Sequence, residues 1–82
     1  MRIRKQAIGN YNMVGRRVEQ RRKELGVKQK ELLARLQDQG IELNSSGLSK
    51  LEGQLRKVND AELVALSRAL DVSMEWLVGL EK

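Results

Sequence analysis

The sequence predicts an all-α bundle, and three observations predict it. Leucines and valines recur at helical spacing through most of the chain. Short breaks rich in Gly, Asn, Asp and Ser separate these stretches. There is no proline anywhere in the 82 residues, and every break is short. At this length one domain with one small core is expected, worth only a few kcal/mol. With no cysteine and no histidine, the chain has no disulfide or Cys/His zinc site to add. Helix packing, with or without self-association, must supply the stability.

The first helix is expected from an Asn12 N-cap to a left-handed stop at Gly26, with Val14, Val18 and Leu25 facing inward. Arg21 and Arg22 flank that stripe, where leucine or alanine would be ordinary. At least one should lean toward the core, and a buried guanidinium needs a carboxylate. The second helix runs from Lys28 or Gln29 to Gln37 and buries Leu32, Leu33 and Leu36. The connection Asp38–Leu43, "DQGIEL", carries a left-handed stop at Gly40 and turns Ile41 and Leu43 inward around Glu42.

Asn44 should cap a third helix anchored by Leu48, Leu51 and Leu55. Its outward residues are Ser45, Ser46, Ser49 and Lys50, poor material for helix stability. After the basic loop "GQLRKVND", Asp60 should cap a fourth helix burying Leu63, Leu66 and Leu70. Ser73 should cap a fifth, "MEWLVGL", apolar nearly all round and therefore suited to a shared interface.

Charge is unevenly spread. Residues 1–57 carry 14 Lys/Arg against 6 Asp/Glu, while residues 58–82 carry 2 against 5. A basic first part and an acidic tail suit a face built for a polyanion, although a charge-rich helical surface would look similar. Residues 1–10 show no helical period. Arg2, Arg4 and Lys5 make them a basic arm, expected to be disordered alone and to touch phosphates or a minor groove on DNA. No apolar run is long enough to span a membrane, and no secretory signal is present, so a cytoplasmic protein is expected.

The poorly built third helix makes sense if its outward face is what matters. A helix fits the major groove, and small side chains let it come close to the base edges. Serine can donate to or accept from any base, and lysine favours guanine O6 and N7. Gln29 in the first turn of the second helix lies where free N–H groups favour a phosphate.

From Val14 to Leu80, about four-fifths of the chain, the sequence resembles the phage-repressor helix-turn-helix family, the Cro-like or xenobiotic-response-element class. "VGRRVEQRRKELGVKQKELLARL" looks like that family's first two helices. "GLSKLEGQ" is similar to the end of its third, "ELVALSRALDVS" to its fourth, and "SMEWLVGL" to its fifth, with Trp76 at a frequent tryptophan position. The resemblance implies a five-helix bundle over residues 11–82, binding double-stranded DNA.

It also implies roles. Ser45, Ser46, Ser49 and Lys50 would face bases. Gln29, Lys28, Asn44, Gln54, Arg56 and Lys57 would contact phosphates. Arg22 and Glu52 would pair internally, and Trp76, Leu77 and Leu80 would join two copies. The turn between helices two and three is longer than the family's by about five residues. The third helix lacks the Gln and Arg of many relatives, so DNA shape would carry part of the specificity.

The expected function is a regulator of transcription, a repressor bound to a two-fold operator as a homodimer. The alternative is an antitoxin-type protein that binds a partner toxin and represses its own operon. No nucleophile–base pair, phosphate loop, metal set or cofactor motif argues for an enzyme. Two aromatics are too few for base stacking on RNA.

Overall fold

The computed structural model describes residues 9–81. The basic residues Arg2, Arg4 and Lys5 of the expected arm lie outside them. Five helices follow in order: α1 (Gly15–Glu24), α2 (Gln29–Gln37), α3 (Ser45–Glu52), α4 (Asp60–Leu70) and α5 (Met74–Leu77). Among the described residues there is no strand, and no helix is long and apolar enough to cross a membrane.

α3 packs on both α1 and α2, and α4 packs on α1, α2 and α5. Their shared centre is aliphatic: Val18, Leu32, Leu36, Leu48, Leu51, Leu66, Leu70 and Leu77 are essentially sealed from solvent. The core therefore lies behind α3 and leaves that helix one free side.

Each helix ends the same way. The chain turns through a left-handed residue at Gly26, Gly40, Gln54, Asp71 and Gly79. In every case the next N–H reaches back five residues, as in Val27 to the Arg22 carbonyl and Ile41 to the Leu36 carbonyl, both at 3.0 Å. These are Schellman closures, which satisfy the last free carbonyls. Side chains from elsewhere finish the end of α4. Arg21 Nε donates to the Leu70 carbonyl at 3.0 Å, and Arg35 Nη1 to the Ala69 carbonyl at 2.9 Å. Arg21 thus lies over the core's edge as a cap rather than running free to solvent.

Several expected boundaries and burials move. α1 starts at Gly15, not at Asn12. The Asn12 Oδ1 accepts from the Val14 and Gly15 N–H groups just ahead of the helix, while its amide donates to the Leu51 carbonyl at 3.1 Å and the Arg56 carbonyl at 2.8 Å. Asn12 is a cross-link between distant segments as much as a helix starter. Leu25 is 39 % exposed, because the left-handed turn at Gly26 brings Val27 into the core instead. Leu55, beyond the left-handed Gln54, is 38 % exposed for the same reason. Leu33 and Leu63 are only half-buried.

Asn59, not Asp60, caps α4. Its Oδ1 accepts from the Glu62 N–H at 2.8 Å, and Glu62 returns the bond to the Asn59 N–H at 3.0 Å. This reciprocal pair is a capping box. Ser73 does cap α5, accepting from the Trp76 N–H at 3.0 Å. That helix ends at Leu77, however, because Gly79 takes φ +85° and folds the chain back.

Candidate nucleic-acid interface

α3 presents Ser45, Ser46, Ser49 and Lys50 to solvent and turns Leu48, Leu51 and Glu52 inward. The 3.6-residue period separates the two sets. Asn44 caps the helix: its Oδ1 accepts from the Gly47 N–H at 2.7 Å. Gly47 is small for an internal reason. A Cβ there would stand 2.9 Å from the Leu43 Cδ1 and 3.1 Å from the Asn44 Oδ1. The connection from α2 folds its leucine over this glycine, so the slim start of α3 is partly a packing requirement.

The back of α3 is held by a buried polar network. Glu52 is 1 % exposed. Its Oε2 accepts from Arg22 Nε at 2.7 Å, and its Oε1 accepts from Arg22 Nη2 at 3.0 Å and Gln29 Nε2 at 3.1 Å. Arg22 Nη1 donates to the Val27 carbonyl at 3.0 Å. Both charges are paired and bonded, which is the condition under which burial is tolerated. Hydrogen bonding to Glu52 raises the Arg22 pKa above its already high ordinary value. Burial pulls the other way, and the Glu52 and Glu19 charges add to the rise.

The network reaches the surface at one point. Gln29 lies within 3.4 Å of the Ser49 hydroxyl, so the first turn of α2 meets the open face of α3 there. Gln29 is half-buried and committed to Glu52, and its carboxamide is a spacer between helices before it is a free donor. Lys28 beside it is exposed, with its backbone N–H donating to Glu31 Oε1 at 3.1 Å.

The loop after α3 divides its residues. Lys57 is exposed. Gln54 turns inward, donating to the Asn12 carbonyl at 2.7 Å, so its side chain is not displayed as expected. Arg56 is also held: Nη2 donates to Glu62 Oε2 at 3.0 Å, while Nη1 has no partner. The segment before α1 runs along this loop. Gly9 N–H donates to the Gly53 carbonyl and Tyr11 N–H to the Gln54 carbonyl, each at 3.0 Å. Residues 9 and 10, placed with the arm by sequence, are therefore stitched to the end of α3. That cross-link has no local sequence signal, because its partners lie about forty positions apart.

The three residues expected to join two copies differ in burial. Leu77 is fully buried in the chain's own core. Trp76 is half-buried, with the Arg17 guanidinium 4.9 Å from its ring centroid, a cation–π distance. Leu80 stands 82 % exposed. An open groove of about 710 Å³ is lined by Tyr11, Met13, Val58, Leu63 and Val78 among others, and Leu80 is not part of its lining. Tyr11 and Met13 are 60 % and 68 % exposed. Exposed apolar surface is thus divided between this groove and α5, where Met74 is 42 % exposed.

No family model, no curated protein and no solved structure matches the chain.

Proposed function

We propose that the protein is a sequence-specific DNA-binding regulator of transcription, acting as a repressor by occupying its operator. In this reading α2, the connection 38–44 and α3 form a helix-turn-helix with a lengthened turn. The observation that carries it is the contrast between the two sides of α3. Its inner side is locked by Glu52 to α1 and α2, while its outer side shows only Ser45, Ser46, Ser49 and Lys50. A rigidly held helix with small polar side chains outward suits close approach to base edges. Lys28 and Lys57 at the margins, with the Asn44 amide, supply phosphate contacts. Arg56 stays outside this set, because Glu62 holds its Nη2 and its Nη1 is buried.

Two copies bind a two-fold site with half-sites about 34 Å apart. The groove at Met13, Leu63 and Val78, together with Leu80, is the surface offered for that pairing. The same groove favours a second reading, an antitoxin-type protein whose partner toxin covers it.

Selection of bound sequences from a random DNA pool tests the proposal. Enrichment of a palindrome is expected, and recovery of no preferred sequence at low salt would refute it. Sedimentation of the purified protein decides between the readings: a homodimer supports the first, and a monomer that dimerises neither alone nor on DNA favours the second.

A further inference from the structure

The connection between α2 and α3 is longer than a spacer needs to be, yet it is held firmly. Ile41 N–H closes the end of α2 on the Leu36 carbonyl at 3.0 Å, and Gln39 Nε2 donates to the Ala65 carbonyl at 3.0 Å. Ile41 and Leu43 pack against the core. Alternation along this extended stretch turns Glu42 outward, and it is exposed. Glu42 shares a groove of about 530 Å³ with Lys30 and with Asn44, the cap of α3. It therefore lies at the same end of α3 as Ser45 and Ser46.

Glu24 is engaged by Gln20, Glu31 by the Lys28 N–H and Glu52 by Arg22, while the exposed Asp38 stands at the α2 end of the connection, outside the groove beside Asn44. Among the described residues Glu42 makes no hydrogen bond or ion pair, although Lys30 lines the same groove. A free carboxylate on a face meant for DNA repels phosphates. It is tolerable there if it meets a donor on a base.

The major-groove edges of guanine and thymine offer acceptors to such a group, and adenine sets its N7 acceptor beside its amine. Cytosine presents the N4 amine as its hydrogen-bonding group, and carboxylates accept from it. Resting on the DNA-binding reading above, we infer that Glu42 is a specificity-determining residue that accepts a hydrogen bond from a cytosine N4 amine, one base in each half-site, at the edge of the positions faced by Ser45 and Ser46.

The test is selection from a random DNA pool with the wild type, Glu42→Gln and Glu42→Ala. The side chain is exposed, and melting curves check that all three fold alike. The wild type should enrich cytosine at one position per half-site. Glu42→Ala should flatten that position alone, by about five- to a hundredfold in relative affinity. Glu42→Gln should move the preference toward adenine, whose N6 and N7 match a carboxamide. Unchanged preferences in both variants would overturn the inference. So would a uniform gain of affinity for all sequences, which would make Glu42 only a repulsive charge. A wild type that enriches no sequence would instead refute the DNA-binding reading itself.

Discussion

Arg22 and Glu52 face each other across the α1–α3 contact in a two-bonded pair, Nε to Oε2 at 2.7 Å and Nη2 to Oε1 at 3.0 Å. Thirty residues separate them in sequence. The pair spans the junction that orients α3, and Gln29 ties α2 into it. Arg22→Ala leaves Glu52 buried without its main partner, a change that costs about 3–5 kcal/mol. That is a large share of a small domain's stability. Replacing both residues with apolar ones of similar volume should cost much less, because no charge is stranded. Urea unfolding of the single and double variants measures the difference. A wild-type midpoint for Arg22→Ala would mean that the pair is not buried in solution.

Gly15 makes a second α1–α3 requirement. A Cβ there would collide with the Leu51 and Glu52 carbonyl oxygens. These are backbone atoms that cannot rotate away, so Gly15→Ala must push α1 off α3. The usual helix-propensity gain of alanine over glycine, about 1 kcal/mol, is reversed by an overpacking cost of about 1–3 kcal/mol. Thermal melting should show a net loss. A raised melting temperature would contradict the close approach.

The helix inventory was legible because period and punctuation agree. Leu32 and Leu36, or Leu66 and Leu70, mark buried stripes, and Gly26 and Gly40 mark stops. Sequence and structure part where a signal is ambiguous or absent. Asn59 and Asp60 are adjacent acceptable caps, and the choice depended on the return bond from Glu62. Leu25 and Leu55 continue a helical stripe on paper, but each sits beside a left-handed turn that rotates the next residues away. The clasp of Gly9, Tyr11 and Asn12 on the end of α3 is long-range and had no signal at all. Among candidate site residues, Ser45, Ser46, Ser49 and Lys50 stand on the exposed side of α3, where helical spacing puts them. Gln54 is not displayed, because its side-chain direction follows from a φ of +60° that sequence does not announce at a glutamine.

Asp71 is the other non-glycine at a left-handed helix end, at φ 55° and ψ 51°. Its exposed carboxylate also lies beside the negative end of α4. Asp71→Gly removes both the conformational cost and the unfavourable charge. The expected gain is about 0.5–1 kcal/mol, a rise of a few degrees in melting temperature for a domain this size. A fall would mean that the added freedom of the unfolded chain outweighs both terms.

Lys50 and Lys57 should separate base reading from phosphate attraction. Both are exposed, one on the open face of α3 and the other in the loop beyond it. Lys50→Ala should cost about 1–3 kcal/mol on the preferred site and relax one position per half-site. Lys57→Ala should weaken binding to all sequences alike and reduce the logarithmic salt slope by about one unit. Titrations at several salt concentrations on specific and random duplexes read both. Identical behaviour of the two variants would reject the division of roles.

Leu77 and Leu80 are three residues apart yet belong to different surfaces, one at 0 % and the other at 82 % exposure. The left-handed Gly79 between them causes the split by ending the helical register. Leu77→Ala should open a core cavity and cost about 2–5 kcal/mol of stability at any protein concentration. Leu80→Asp should leave the folded monomer intact, since its side chain makes no core contact to lose. If two copies meet at the groove beside Val78, this variant should sediment as a monomer at concentrations where the wild type is dimeric. It should also bind a single half-site as well as the wild type does while losing affinity for the full palindrome. Met13→Asp, on another part of the groove's lining, should do the same. A dimer that survives both substitutions would place the contact elsewhere, and the exposed part of Trp76 under Arg17 would then be the surface to mutate next.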